Sequence, residues 1–411
     1  MTILEILSLL FAVAAVFGLV STRWLKLPIT IGTMLLTVLA SVTLILISTW
    51  VPAIQQWAAA LLRQINFGTL VLEGMLPLLL FAGAFLLDLD QLLREKLTVS
   101  LLSIAGTGVC FFLVALLMQF ISGARLPWIQ CLIFGALISP TDPIAVLEML
   151  RRVGIPKRIE AQLAGESLFN DGIGAVLFIT MLEVAAGRAP TPWRVAGIFL
   201  AKAGGGILVG LVAAWFTSHL MRRVDAYHVD ILLTIALAFG GYALAEFLHV
   251  SAPLEAVIAG IALRQLNRRQ PHERIAHNSV DGFWTVIDEV QNSVLFVLLG
   301  LQVMAITLDR VTIFSGLAAI LSVNAVRFVT VAALLALVRL LQPGHRSSVF
   351  VLTWGGLRGG LSIALALSVP EALGRSWILG ATYVVVVFSI VTQGASMNWI
   401  LHRRTRNQLQ V

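Results

Sequence analysis

Residues 128–150 read WIQCLIFGALISPTDPIAVLEML, an apolar run whose centre is occupied by the polar and helix-breaking residues Ser139 to Pro143. The run is long enough for a helix to cross a hydrocarbon core of about 30 Å. Proline removes a backbone hydrogen-bond donor, so we expect the helix to be interrupted there. Unwound backbone at membrane depth is tolerated only where it is buried in protein or lines a wet cavity. The pattern therefore predicts a broken transmembrane helix beside a cavity.

A second interruption is predicted at residues 355–360, which read GGLRGG in the middle of the apolar segment 347–369. Glycine loosens the helical hydrogen-bond ladder. The two broken segments are the fifth and twelfth predicted spans, so they run in opposite directions. Two interrupted helices at corresponding places of an inverted repeat indicate a transport site near the bilayer midplane.

The composition extends this prediction to the whole chain. Of 411 residues, 59% are hydrophobic and 12% are charged, whereas soluble domains carry about 45–50% apolar and about 25% charged residues. The sequence therefore predicts an all-α membrane protein. Its thirteen predicted spans are 3–20, 29–48, 69–87, 97–119, 128–150, 160–183, 193–220, 228–249, 252–266, 283–306, 311–341, 347–369 and 377–400.

The distribution of Lys and Arg predicts the orientation of the chain. Loops after odd-numbered spans, with the C-terminal tail, hold nineteen of the 28 basic residues, and the opposite loops hold six. Because basic loops stay on the cytoplasmic side, we expect the N-terminus outside and the C-terminus inside the cell (inner) membrane. This bias also accounts for the net charge of +7, so no nucleic-acid partner is expected.

The sixth predicted span places Glu166, Ser167, Asn170 and Asp171 within the membrane. Helical periodicity puts Ser167 and Asp171 on one face. A charge at this depth costs at least about 2.5–3.5 kcal/mol, so each acid needs a partner, an ion or a proton. We interpret Asp171 as a carboxylate that exchanges a proton for a cation; the alternative is a hydrogen-bonded packing residue.

Arg327, in the middle of another apolar span, must also find an anion. Glu166 is the expected partner, because a permanent pairing with Arg327 would stop Asp171 from alternating between proton and cation. The expected role of this ion pair is architectural.

At the two breaks, Asp142 and Arg358 are expected to neutralise the partial charges of the half-helix ends. Hard cations prefer oxygen ligands, and the candidates are Asp142, Thr141, Ser167, Asn170 and Asp171. No Cys/His metal spacing, nucleotide loop or nucleophile elbow occurs in the sequence, so we expect neither a cofactor nor an enzyme.

These motifs together resemble the monovalent cation:proton antiporter family of NhaP-type bacterial exchangers and animal sodium/proton exchangers. The resemblance rests on Ser139-Pro-Thr-Asp-Pro143, Gly165-Glu-Ser-Leu-Phe-Asn-Asp171, Arg327 and Trp354-Gly-Gly-Leu-Arg-Gly-Gly360. It implies a homodimer with a core domain (about 97–183 and 311–400) and a dimerisation domain (about 1–95 and 193–306). It also implies that Asp171 is the exchange carboxylate, that Ser167 and Thr141 bind Na⁺, and that Glu166 pairs with Arg327.

The third span departs from the family pattern. Some members carry an acid directly before a small Ala-Gly pair, where this chain has Phe81. Glu73 lies more than two turns away and is only a possible accessory residue.

The expected function is secondary active exchange of a monovalent cation, Na⁺ or otherwise Li⁺ or K⁺, for H⁺ by alternating access. Electrogenic relatives carry two adjacent acids where this chain has Asn170 and Asp171, so the resemblance implies electroneutral 1:1 exchange. The alternatives are a passive cation channel and an intramembrane hydrolase.

Overall fold

The structure is a computed structural model that describes residues 3–26, 29–48, 67–188, 191–223, 226–267, 274–305, 310–343, 347–394 and 396–397. Within these ranges the chain forms helices joined by short turns, without a β-strand. A helix satisfies its backbone polar groups internally, which a chain surrounded by lipid requires. The predicted all-α fold class is confirmed.

The helices of the N-terminal half lead to the first break. They are α1 (Ile3–Val20), α2 (Ile29–Ser48), α3 (Phe67–Phe85), α4 (Leu89–Arg94), α5 (Lys96–Ile121), α6 (Trp128–Ile138), α7 (Ile144–Val153) and α8 (Lys157–Ala185). Single π-helical segments lie within α3 and α5.

The helices of the C-terminal half contain the second break. They are α9 (Pro192–Met221), α10 (Tyr227–Phe247), α11 (Ala252–Asn267), α12 (Arg274–Leu301), α13 (Arg310–Leu341), α14 (Val349–Trp354), α15 (Gly360–Ser368) and α16 (Arg375–Gly394).

Each of the thirteen predicted spans overlaps one helix or a pair of short helices. Among the described residues, nine helices are long and apolar enough to cross a membrane, and the apolar segments Ile29–Leu44 and Trp128–Ile138 are shorter. The chain is therefore a multi-pass membrane protein, whereas the count of thirteen crossings stays a prediction. The end of the last predicted span (398–400) and the basic tail lie outside the described residues.

Both predicted interruptions are present. Helix α6 ends at Ile138 and α7 begins at Ile144, while α14 ends at Trp354 and α15 begins at Gly360. Two prolines without N–H groups cause the first break, and four glycines surround the second.

Two glycines let the first broken helix approach its neighbours at backbone distance. A Cβ atom on Gly135 of α6 would lie 2.3 Å from the carbonyl oxygen of Phe111 in α5. A Cβ atom on Gly174 of α8 would lie 2.2 Å from Cγ of Pro140 in the break. Small residues permit such close packing of membrane helices; here Gly135 lets α6 lie against α5, and Gly174 lets the break lie against α8.

Ion pairs mark the two ends of the bundle around α8. At one end, which we call the Arg151 end, Arg158 pairs with Glu95 (2.7 Å) and Arg151 pairs with Glu160 (2.5 Å). At the opposite end of α8, Arg188 pairs with Glu183 (3.1 Å).

Candidate functional site

The two breaks contact each other. The backbone N–H of Asp142 donates to the carbonyl oxygen of Leu357 (2.8 Å), and Nη1 of Arg358 donates to the carbonyl oxygen of Pro140 (3.2 Å). Backbone groups left unpaired by one interruption are thus satisfied by the other, as burial demands.

Charged side chains at the breaks match the helix ends beside them. Oδ1 of Asp142 accepts from the N–H of Ile144, the first residue of α7 (3.1 Å). Arg358 lies against carbonyl groups that follow α6 and α14. Helix N-termini carry partial positive charge and C-termini partial negative charge, so both side chains oppose the local dipole.

The position of the Asp142 side chain leaves room only for a glycine at residue 359 of the second break. A Cβ atom on Gly359 would lie 2.1 Å from Oδ2 of Asp142. The closeness of Asp142 to the second break therefore depends on Gly359 having no side chain.

Helix α8 presents a polar face to Thr141. The hydroxyl of Ser167 donates to the carbonyl oxygen of Thr141. Asn170 donates from Nδ2 to Oγ1 of Thr141 (2.8 Å) and accepts at Oδ1 from its N–H (3.2 Å). Asn170 is 1% exposed and is absent from the cavity wall, so its amide orients Thr141 in this structure.

Asp171 lines a cavity of about 500 Å³ together with Thr141, Asp142 and Ser167. Among the described residues, no hydrogen bond or ion pair engages the Asp171 carboxyl group. A carboxyl group at membrane depth without a protein partner must hold a proton or a cation.

The cavity connects Asp171 to the Arg151 end of the molecule. Glu148, Arg151 and Glu289 belong to its wall, and the Arg151 side chain is 66% exposed. In the other direction, α8 continues through Phe178 and Met181 into a tightly packed apolar cluster. The structure therefore represents a state with access to Asp171 from one side.

Glu166 and Arg327 form a buried ion pair that does not line this cavity. Nη2 of Arg327 also donates to the carbonyl oxygen of Leu352 (3.0 Å). A Cβ atom on Gly356 would lie 2.8 Å from the same nitrogen. The pair thus joins α8 and α13 to α14 immediately before the second break.

Helix α3 contributes apolar residues and Gly83 to the cavity wall. Phe81, directly before Ala82 and Gly83, is fully buried against Trp284 (ring centroids 4.8 Å apart). Glu73 is exposed and does not line the cavity. The structure therefore does not bring Glu73 to Asp171.

Four acidic and amide residues of the cavity wall were not singled out as site residues from the sequence. They are Glu148 of α7 and Asp288, Glu289 and Asn292 of α12. Asp288 and Asn292 lie four residues apart within a predicted span and therefore on one helix face, which is a signal that could have found these two.

Comparison with known proteins gives a consistent result. The family described as "Sodium/hydrogen exchanger, transmembrane" matches residues 11–403. The chain is 37% identical over 409 residues to the Na⁺/H⁺ antiporter NhaP of Pseudomonas aeruginosa, covering 97% of this chain and 96% of that protein. It is 32% identical over 378 residues to the Na⁺/H⁺ antiporter NhaH of Halobacillus dabanensis, covering 89% and 90%.

A solved structure shares the fold. The sodium proton antiporter MjNhaP1 of Methanocaldococcus jannaschii superposes with a TM-score of 0.76 at 20% identity, over 98% of this chain and 99% of that one.

Proposed function

The chain belongs to the sodium/hydrogen exchanger family, and we propose that it exchanges Na⁺ for H⁺ through the carboxyl group of Asp171. It is a secondary active transporter of the antiporter type. The observation that carries the proposal is the position of Asp171, which lines a cavity open at the Arg151 end and has no hydrogen bond or ion pair among the described residues.

Cation binding is proposed to use oxygen atoms grouped around Asp171. Its carboxylate, the Ser167 hydroxyl and the Thr141 carbonyl are oxygens of the kind that hard cations bind. The Ser167 hydroxyl donates to the Thr141 carbonyl, and rotation of the hydroxyl would free both oxygens for Na⁺. Asn170 is a positioning residue in this scheme because it holds Thr141 through two hydrogen bonds.

The other charges of the site have supporting roles. Asp142 and Arg358 balance the helix dipoles at the breaks, and Glu166 with Arg327 anchors α8 to α13 and α14. Asn170, the residue before Asp171, cannot titrate, and Asp171 is proposed to be the single exchanging carboxylate. One cation then replaces one proton, and transport is electroneutral.

Alternating access is proposed to move a core domain (97–183 and 311–400) relative to a dimerisation domain (1–95 and 193–306) of a homodimer. In this assignment the Arg151 end faces the cytoplasm, and the structure is open to that side. The positive-inside bias supports the orientation. Light scattering of the detergent-solubilised protein tests the dimer, and cysteine labelling near Arg188 in intact cells tests the orientation.

The deciding experiment measures Na⁺-driven proton flux in proteoliposomes that contain a pH-sensitive dye. Asp171→Asn should insert and fold normally but show no exchange, because the amide cannot release a proton or balance a cation. Asp88→Asn is the matched control: Asp88 caps α4 outside the cavity, and Asn caps helices equally well.

Wild-type exchange by Asp171→Asn would remove Asp171 from the mechanism. Na⁺ entry without coupled proton movement in the wild type would favour a passive channel instead. Li⁺ and K⁺, tested in the same assay, establish the cation selectivity.

A further inference from the structure

We propose that Asp288 and Asn292 of α12 form a second binding site for a monovalent alkali cation, in the cavity between Asp171 and the Arg151 end. The inference rests on the proposed function, because the cation bound there is the one that travels to Asp171.

The first observation is an unpartnered oxygen. Nδ2 of Asn292 donates to Oδ1 of Asp288 (3.1 Å), and Oδ1 of Asn292 is buried and accepts no hydrogen bond among the described residues. Asn292 is 1% exposed, yet it lines the cavity together with Asp288. A buried acceptor left unsatisfied is costly, and a cation held beside Asp288 would satisfy it.

The second observation concerns charge. The carboxylates of Asp142 and Glu289 and the guanidinium group of Arg151 act electrostatically on Asp288. Arg151 is already paired with Glu160 (2.5 Å). Two carboxylates act on Asp288 against one guanidinium group, which is shared with Glu160, so the surroundings of Asp288 are net negative.

The ligand class follows from these groups. Carboxylate and amide oxygens suit hard cations rather than soft metals. Within the described chain, no group of three or more His, Cys, Asp or Glu side chains could hold a metal ion. One carboxylate with one amide oxygen matches the charge of a singly charged, partly hydrated ion.

The location places this site on the route of the cation. Leu295 of α12 packs against Gly360 at the start of α15, since a Cβ atom there would lie 2.7 Å from the Leu295 methyl carbons. Asp288 lies seven residues before Leu295, about 10 Å away along the helix axis, and Arg151 is close enough to act on it electrostatically, so Asp288 lies toward the Arg151 end. A cation would therefore meet Asp288 and Asn292 before it reaches Asp171.

Exchange kinetics test the site with three variants. Asn292→Ala removes the oxygen but no charge, Asp288→Asn removes the charge, and Glu289→Gln removes a neighbouring charge of the same cavity but none of the proposed ligands. We expect Asn292→Ala and Asp288→Asn to raise the apparent KM for Na⁺ about fivefold or more, as for loss of one polar contact. The maximal rate should change less than about twofold. Glu289→Gln removes a surrounding charge but no ligand, so it should raise the apparent KM less than Asn292→Ala or Asp288→Asn does. If Asp288→Asn and Glu289→Gln both raised the apparent KM while Asn292→Ala did not, the proposal would be overturned. The two carboxylates would then attract Na⁺ only through their charge, without a binding site.

Binding in the absence of exchange separates this proposal from the role of Asp171. The readout is thermal stabilisation of the purified protein by NaCl relative to choline chloride at constant ionic strength. Asp171→Asn should retain part of the stabilisation by NaCl that the wild type shows. Asp171→Asn/Asn292→Ala should lose this remainder, while Asp171→Asn/Glu289→Gln should keep most of it. If Asp171→Asn alone abolished the stabilisation by NaCl completely, the proposal of a second site would be overturned. Active exchange by Asp171→Asn would contradict the proposed function and leave this binding test valid.

Discussion

Arg327 of α13 is paired with Glu166 of α8, and both side chains are buried outside the cavity that Asp171 lines. Two acids of one helix therefore have different environments. Glu166 is engaged by a guanidinium group, whereas Asp171 faces the cavity without such a partner. In the proposed mechanism, this separation lets Asp171 exchange a proton for a cation while the Glu166–Arg327 pair keeps α8 anchored.

The Glu166–Arg327 pair should show strong energetic coupling. Removing either partner leaves a buried charge uncompensated, so Glu166→Gln or Arg327→Gln should each destabilise the protein by about 3–5 kcal/mol. The double variant should lose less than the sum of the single losses. Thermal unfolding in detergent measures all three variants.

The control is the exposed pair Glu371–Arg375 near the start of α16. Glu371→Gln should change stability by no more than about 1 kcal/mol, as exposed ion pairs do. Strict additivity of Glu166→Gln and Arg327→Gln would show that the two side chains are not coupled.

Close packing of α8 against the first break should be required for full stability and for the wild-type Na⁺ affinity. Gly174→Ala places a Cβ atom 2.2 Å from the rigid Pro140 ring, so α8 or the break must shift. We expect a loss of about 1–3 kcal/mol in stability together with a weaker apparent Na⁺ affinity, because Thr141 moves with Pro140.

Gly204→Ala in α9 provides the comparison, since a Cβ atom there has no neighbour within 4 Å. This substitution should leave exchange unchanged and raise helix stability by up to about 1 kcal/mol. Equal effects of the two alanines on Na⁺ affinity would refute the packing argument.

Proton and Na⁺ should compete for Asp171. If both occupy the same carboxyl group, the apparent KM for Na⁺ should rise as pH falls, by up to about tenfold per pH unit once the proton dominates. The maximal rate at saturating Na⁺ should depend on pH much less. The measurement is initial exchange rates at several pH values, with equal pH on both sides before Na⁺ is added. A KM that is constant between pH 6 and pH 9 would contradict a shared site.

Transport should be insensitive to membrane potential. The loaded forms of Asp171, with H⁺ or with Na⁺, carry the same charge, so no net charge crosses in a cycle. An electrogenic exchanger that moves one net charge would shift its equilibrium gradient about fifty-fold per 100 mV.

K⁺ and valinomycin set the membrane potential of the proteoliposomes at defined values. Na⁺ uptake is then measured with no initial gradient of Na⁺ or H⁺ across the membrane. We expect no accumulation. Voltage-driven Na⁺ accumulation would require a second titrating group. The same measurement on Glu73→Gln and Asp288→Asn would then show whether either acid is that group. In the one-carboxylate mechanism, Glu73→Gln exchanges as the wild type does, because Glu73 lies on the exposed surface of α3.

The sequence by itself determined the all-α membrane fold and the positions of its two interruptions. Both properties are local: apolar segment length sets the spans, and Pro140, Pro143 and the glycines at 355–360 break helices wherever they occur. The cost of an intramembrane charge also singles out Asp171, Glu166 and Arg327 without coordinates.

Only the tertiary structure decided which groups meet and from which side they are reached. Asn170 looks like a cation ligand in the sequence, but it is occupied by both hydrogen bonds to Thr141. Asp288 and Asn292 share a cavity with Asp171 although more than a hundred residues separate them in the chain. Such contacts depend on how α12 packs against the breaks, and the free energy of that packing is spread over many distant pairs that no local pattern encodes.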